Sequence, residues 1–286
     1  MNILFWNTCL SYKNKDNIEK ARNVVYSLLE MIAENRVDLL VLAEYERDIN
    51  KLCNLLNSVS DDVKYRVLVG ITCKRIKVII NEKYNCEVLR GRNHYLITKI
   101  TTDHYELLIA MIHAISKRDS TVDKQVASMA SFHNKIRECE KEQNCQNTLV
   151  IGDFNINPFE AAFINANTMH AIPFREEVIK SPTRICKGKE YYKFYNPTWK
   201  FLGNKNVPYT TYYYNNSGDV VNYYWNAFDQ VIIRPSLIEA FDEEQLKIVT
   251  KTKNHCLLKK GKPDKINYSD YSDHLPLYCV LREELI

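Results

Sequence analysis

Short apolar runs alternate along this chain with stretches whose apolar positions recur at helical spacing. Residues 3–6, 39–43, 107–112, 148–151, 231–233 and 275–281 are strand-length runs rich in Val, Ile and Leu, and read as buried strands. Shorter strand-like pieces lie at 65–69, 77–80 and 95–100. A helical stripe over 17–35 is formed by Ile18, Ala21, Val24, Val25, Leu28, Leu29 and Ile32. A second, over 121–142, sets Val122, Val126, Met129, Phe132 and Ile136 against a charged opposite face. Further helices are expected over 48–57 and 160–167, after which the pattern is irregular until about residue 231. Strands alternating with helices predict an α/β layered domain with helices packed outside sheet. No Pro/Gly/Ser-rich linker, repeat or low-complexity tract divides the chain. One domain over residues 1–286 is therefore expected, with 173–224 as a long surface excursion over one rim.

The buried runs share a second feature: each meets a carboxylate, amide or imidazole at one end. Residues 3–6 run into Asn7, 39–43 into Glu44, 107–112 into His113, and 148–151 into Gly152-Asp153-Phe154-Asn155. Two more are entered from such residues, Asp229 before 231–233 and Asp273-His274 before 275–281. If the first four strands leave a common rim, and the last two enter from it as antiparallel neighbours, all eight polar groups converge. Four carboxylates, two amides and two imidazoles on one rim describe a hard-metal hydrolytic site.

Individually these signals are weaker. Gly-Asp-x-Asn after a strand puts Asp153 and Asn155 on one side, the carboxylate to orient a water and the amide to donate to phosphoryl charge. An Asx turn produces the same residues. His274 can hold a phosphate if a carboxylate fixes its tautomer, and Asp229 is the natural candidate; a capped strand start carrying a surface His is the plainer alternative. Glu44, where a buried strand emerges, suits Mg²⁺, which takes one or two protein carboxylates beside water and phosphate oxygens.

Taken in order, Phe5-Trp6-Asn7, Ala43-Glu44, the strand ending in His113, Gly152-Asp153-Phe154-Asn155, Phe228-Asp229-Gln230-Val231 and Ser272-Asp273-His274 resemble the endonuclease/exonuclease/phosphatase superfamily, which has the deoxyribonuclease-I-like fold. The resemblance spans essentially the whole chain. It implies a four-layer α/β/β/α sandwich of two mixed sheets flanked by helices, and Mg²⁺- or Mn²⁺-dependent phosphoester hydrolysis. It makes Glu44 a metal ligand, with Asn7 and Asp273 completing that site directly or through water. Asp153 would activate the attacking water and Asn155 would hold it or the scissile phosphate. His274, paired with Asp229, would stabilise the phosphorane or act as base, and His113 would assist the leaving oxygen. A histidine at position 113 resembles the deoxyribonuclease and sphingomyelinase branches rather than the abasic-site nucleases, which usually carry tyrosine there. Two departures are Ala43, where glutamine is usual, and the missing carboxylate partner of His113, for which Glu82 and Glu87 are candidates.

Substrate choice is less legible. Aromatic residues crowd 191–225, and Tyr212 and Trp225 are candidate stacking residues. Most of these rings are expected to pack the excursion against the sandwich. Tyr-Asn-Pro-Thr-Trp-Lys and Thr-Tyr-Tyr-Tyr in this stretch resemble segments of a bacterial subgroup of the superfamily. Lysines before Asp273, among them Lys259, Lys260 and Lys262, are candidates for tracking a phosphate backbone, or else a solvated loop.

The bulk figures add bounds. Net charge is +4, compatible with a polyanionic substrate without demanding one. Nine cysteines without a CxxC pair read as reduced thiols in a cytoplasmic protein rather than a disulfide framework or zinc site. No apolar stretch has membrane-spanning length, and the N-terminus opens on a strand without a secretory leader pattern. The expectation is a metal-dependent phosphodiesterase, foremost a nuclease acting on DNA or RNA. The alternative is the same chemistry on a small or lipid phosphoester, and a non-catalytic module is disfavoured by the intact polar set.

Overall fold

The computed structural model describes residues 1–11, 17–60, 62–70, 73–215, 218, 220–261 and 264–286. Its first eight strands are β1 (Asn2–Leu10), β2 (Leu39–Tyr45), β3 (Tyr65–Val67), β4 (Ile76–Asn81), β5 (Asn85–Arg92), β6 (Tyr95–Thr101), β7 (Glu106–His113) and β8 (Thr148–Asp153). The long helices are α1 (Ile18–Asn35), α2 (Ile49–Val59) and α3 (Val122–Glu142). Each begins at a side-chain cap, Asn17, Asp48 and Thr121 respectively, that accepts a hydrogen bond from a backbone N–H of the first turn.

Two mixed sheets form. One runs Lys247–Ile248, Leu277–Val280, β1, β2, β4, β3; the other runs β5, β6, β7, β8, Asp229–Ile233, Phe194–Tyr195, Ala171–Ile172. Period-two alternation sorts their residues. Ile3, Phe5 and Val41 of the first sheet meet Leu107, Ile109, Met111, Leu149, Ile151, Val231 and Ile233 of the second in a shared core. Leu4, Trp6, Leu40 and Leu42 face outward beneath Val24, Leu28 and Met31 of α1 and Leu52 and Leu56 of α2. Leu108, Ala110, Ile112, Val150 and Ile232 face outward beneath Met129, Phe132 and Ile136 of α3. Helix, sheet, sheet and helix are thus the expected four layers. Strands covered on both faces have no polar side, which is why they read as continuous apolar runs.

Three elements differ from the sequence reading. The helix expected over 160–167 is a single turn, Ala161–Ile164. Strand β5 went unpredicted, because it pairs only with β6 and its burial is low, so it carries Glu87, Arg90 and Arg92 instead of an apolar run. The segment 173–224 is not wholly a surface excursion. Phe194–Tyr195 and the adjacent Ala171–Ile172 extend the second sheet, and Phe194, Asn196 and Thr198 are fully buried. Polar anchors replace apolar ones there: Asn196 Nδ2 donates to Gln230 Oε1 at 2.9 Å, and Thr198 Oγ1 to the Val231 carbonyl at 3.1 Å. No described helix is long and apolar enough to cross a membrane.

Candidate active site

The site follows from strand register. Strands β7 and β8 are parallel, with His113 opposite Asp153, and β8 pairs antiparallel with Asp229–Ile233, setting Asp153 opposite Asp229. His113, Asp153 and Asp229 therefore form one row across the end of the second sheet. Each has the parity of the inward-facing apolar residues on its own strand, so the row continues the inter-sheet core beyond its apolar part. Asn7 does the same on β1, where Ile3 and Phe5 point inward. Glu44 has the parity of the outward-facing Leu40 and Leu42, but its φ of 51° breaks the alternation and its carboxylate reaches His113.

Gly152 makes the row close enough. It has φ of 154°, and a Cβ there would lie 2.0 Å from the Ile112 carbonyl oxygen. Only glycine lets β8 approach β7 at the residue before Asp153.

Asp153 is buried and held at both oxygens. Its Oδ2 accepts from Asn7 Nδ2 at 3.0 Å, and its Oδ1 accepts from the Asn155 backbone N–H at 2.8 Å. Asn155 has φ of 52°, a conformation asparagine tolerates, and its amide donates to the Ala114 carbonyl. The two imidazoles flank the carboxylate, His113 Nε2 3.8 Å and His274 Nε2 3.9 Å from Asp153 Oδ2. His274 Nδ1 is 2.8 Å from Asp229 Oδ2, the expected pairing. Ser272 Oγ ties the approach together, donating to the Asn7 carbonyl at 2.6 Å and accepting from His274 N–H at 3.0 Å. Trp6 Nε1 donates to the His274 carbonyl, and Tyr212 lays its ring 4.6 Å from the imidazole.

Electrostatics sort these groups. Burial drives the proton off His274, but Asp229, Asp153 and Asp273 outweigh it and raise its pKa to about 10. The His274–Asp229 pair therefore keeps a proton at neutral pH. Burial also opposes the charge on Glu44, yet the hydrogen bond and charge of His113, with His274 and Asn7, hold its pKa below the ordinary carboxylate value. His113 Nε2 lies 3.4 Å from Glu44 Oε1. This corrects the search for its partner at Glu82 or Glu87. Glu82 follows β4, which runs antiparallel to β2 and ends at the opposite rim, and Glu87 sits opposite Lys99 on β5.

The donor set fits a hard divalent cation. Among the described residues, Asp153, Asp229 and His274 each offer a donor atom within 4.8 Å of the others. His274 and Asp229 of that trio are already hydrogen-bonded to each other, and an imidazolium, protonated on both nitrogens, is a poor ligand. Glu44 is the better anchor, an ionised carboxylate whose side chain is 31% exposed, with Asn7 and Asp273 as further oxygen donors. Cys9, overlooked in the sequence, lies near Glu44 and Asp273. Burial and these carboxylates push its thiol up to about 12, so it remains neutral.

The candidate substrate residues separate. Tyr212 joins the site and stacks on Phe228 at 5.1 Å. Trp225 is buried on the far side of the short strand pair Tyr212–Tyr213 and Trp225–Asn226, against Tyr209 and Tyr213. Lys259 and Lys260 are exposed on the hairpin Leu258–Lys259/Lys265–Ile266, and neither is ion-paired to the site carboxylates described here; Lys262 lies outside the described residues. Two cations that the sequence reading passed over follow His113: Arg118 bears on Tyr212, and Lys117 lies 5.4 Å over the Phe228 ring. They lie in the polar stretch after His113, where charged residues are the default, and that hid them.

No protein-family model matches the chain, and no curated protein matches it in sequence. Solved structures do. D. rerio TDP2, complexed with a single-strand DNA product, is similar at TM-score 0.52 and 14% identity, over 98% of this chain and 97% of that one. The catalytic domain of human Nocturnin, with a bound sulfate anion, is similar at TM-score 0.54 and 14% identity, over 98% and 92%. An endonuclease/exonuclease/phosphatase family protein from Bacteroides thetaiotaomicron is similar at TM-score 0.51 and 11% identity, over 98% and 93%. At these identities the likeness is one of fold, and it agrees with the paired sheets: the chain has the deoxyribonuclease-I-like fold.

Proposed function

We propose that the protein is a divalent-metal-dependent phosphodiesterase, and that its substrate is a nucleic acid strand. One observation carries the reading: His113, Asp153 and Asp229 stand in register across one sheet end, with Asn7, Glu44 and His274 closing on them from the other sheet. Burying two carboxylates, Asp153 and Asp229, beside two imidazoles contributes nothing to a core and costs desolvation, so chemistry is the better explanation.

Asp153, fixed by Asn7 and Asn155, orients a water and draws off its proton as the oxygen attacks phosphorus. His274 keeps its Nδ1 proton on Asp229 and turns Nε2 toward the charge that develops on the phosphoryl oxygens. His113 Nε2, on the other side of Asp153, is placed to give a proton to the departing oxygen. Mg²⁺ or Mn²⁺ held by Glu44, Asn7 and Asp273 would supply Lewis-acid polarisation of a phosphoryl oxygen.

The nucleic-acid part is supported by Arg118 beside the site, with Lys117 next to it though paired to Glu160, and by the DNA product in the TDP2 structure of the same fold. The test is a panel of labelled single-stranded DNA, duplex DNA, RNA, a small phosphodiester and a phosphoinositide, each with Mg²⁺ or Mn²⁺. Cleavage of a polymer is expected. Inert polymers beside a hydrolysed small or lipid ester would move the substrate to that class.

A further inference from the structure

Outside the catalytic row, one cavity combines aromatic walls with a buried polar group that has no partner. It is about 530 Å³ and is lined by Tyr209, Thr210, Tyr213, Tyr223, Tyr224 and Trp225. That is within the size range of small-ligand sites. Tyr209 and Tyr213 stand edge-on to Trp225, with ring centroids 5.9 and 5.3 Å away at 82° and 64°. Thr210 is 1% exposed, and its hydroxyl has no hydrogen-bond partner among the described residues. A threonine that only filled space would be replaceable by valine with a gain in stability, because an unpaired buried hydroxyl is unfavourable.

The cavity is tied to the catalytic row by the two-residue strand Tyr212–Tyr213, paired antiparallel with Trp225–Asn226. Neighbouring strand residues face opposite ways. Tyr212 accordingly lies against His274 and Tyr213 against Trp225. Lys265 places its ammonium 5.4 Å from the Tyr213 ring, a cation at the cavity's side.

We propose that this cavity is a nucleobase subsite, which takes an unpaired base of the nucleotide flanking the scissile phosphate. Flat rings supply the stacking surface, the Thr210 hydroxyl, closed off from solvent as it stands, turns to a polar edge of the base, and Lys265 answers the neighbouring phosphate. The proposal rests on the phosphodiesterase reading for its orientation, and it adds single-strand preference to it. A base paired in a duplex could not enter.

Fluorescence anisotropy with a labelled oligothymidylate tests it, beside a strand of equal length and charge whose residues are all abasic. Both are titrated into the Asp153→Asn protein in Mg²⁺, which prevents cleavage. The base-bearing strand is expected to bind about tenfold tighter or more. Tyr213→Ala should erase that advantage. Thr210→Val should reduce it roughly threefold while melting no lower than its parent. Equal affinity for the two strands, or an advantage that survives both substitutions, would overturn the proposal. Thymidine monophosphate as competitor separates sources: displacement by it alone assigns the cavity to free nucleotides, and failure to displace assigns it to strands. Cleavage by the unsubstituted protein is read separately. Cleavage without base preference sinks the subsite alone, whereas base preference without cleavage sinks the hydrolase reading alone.

Discussion

Asp153 is held at both carboxylate oxygens, by the Asn7 amide and by the backbone N–H of Asn155, so its position is fixed by the fold itself. The eight polar residues were visible because each terminates or opens a buried run, where an apolar side chain is the default. Their roles were harder to see. Glu44 was placed as a metal ligand, but nothing in its position announced that it also faces His113, since that contact depends on a positive φ at Glu44. Thr211, which accepts a hydrogen bond from the Asp229 N–H, and Ser272 stood inside recognisable motifs but had no role of their own in the sequence reading. Two predictions belong at this scale. His274→Ala should lower turnover by about 10²–10⁴-fold with the far-ultraviolet circular dichroism unchanged; wild-type turnover would remove His274 from the chemistry. Gly152→Ala should fail to fold or lose several degrees of melting temperature, because its Cβ meets the Ile112 backbone. A variant that melts like the parent would show that β7 and β8 can spread without cost.

At the scale of elements, what decides legibility is whether both faces of a strand are covered. Strands β1, β2, β7 and β8 are buried on both faces and were found, whereas β5 is largely unburied and was not. The irregular 173–224 segment hid its buried part because Asn196 and Thr198 are fixed by hydrogen bonds, which leave no hydrophobic pattern. Helix α3 is secured in a similar way. Arg234, just beyond the strand that carries Asp229, donates from Nε to Glu140 Oε1 at 2.7 Å and from its second nitrogen to Oε2 at 3.2 Å. Both side chains are 2% exposed, and the guanidinium lies 3.7 Å over the Phe194 ring. Glu140→Gln should therefore destabilise the fold by about 3–5 kcal/mol in urea unfolding, since it leaves a buried charge unpaired. A loss under 1 kcal/mol would mean that the Lys193 carbonyl, which already accepts from Arg234, or water satisfies the charge.

For the whole molecule, the two sheets share an apolar core that gives way to polar groups at one end, so the site is the place where the sandwich opens. The four-layer architecture was legible because runs and stripes alternate; the convergence was an inference about rims, of which register aligns His113, Asp153 and Asp229 in one row. The pH response is also a property of the whole chain. Burial, with Arg234 and Arg137 nearby, lowers the pKa of His133 to about 3, and burial lowers that of His170 to about 4. Both are neutral in the folded protein and take up protons near pH 6.5 once unfolded. The unfolded chain thus binds more protons between these values, and stability contributed above pH 6.5 is lost as pH falls toward 4 and then 3. Urea midpoints should decline through that window, and His170→Gln should flatten the decline. An unchanged slope would place the acid sensitivity elsewhere.

The most direct test of the central claim is hydrolysis of labelled single-stranded DNA by the protein and by Asp153→Asn, each with Mg²⁺, with EDTA, and with Mg²⁺ restored. The account predicts cleavage by the unsubstituted protein that EDTA stops and Mg²⁺ restores, and none by Asp153→Asn at equal folding. Cleavage that persists in EDTA, or that Asp153→Asn retains, would contradict a metal-dependent centre built on the row of His113, Asp153 and Asp229.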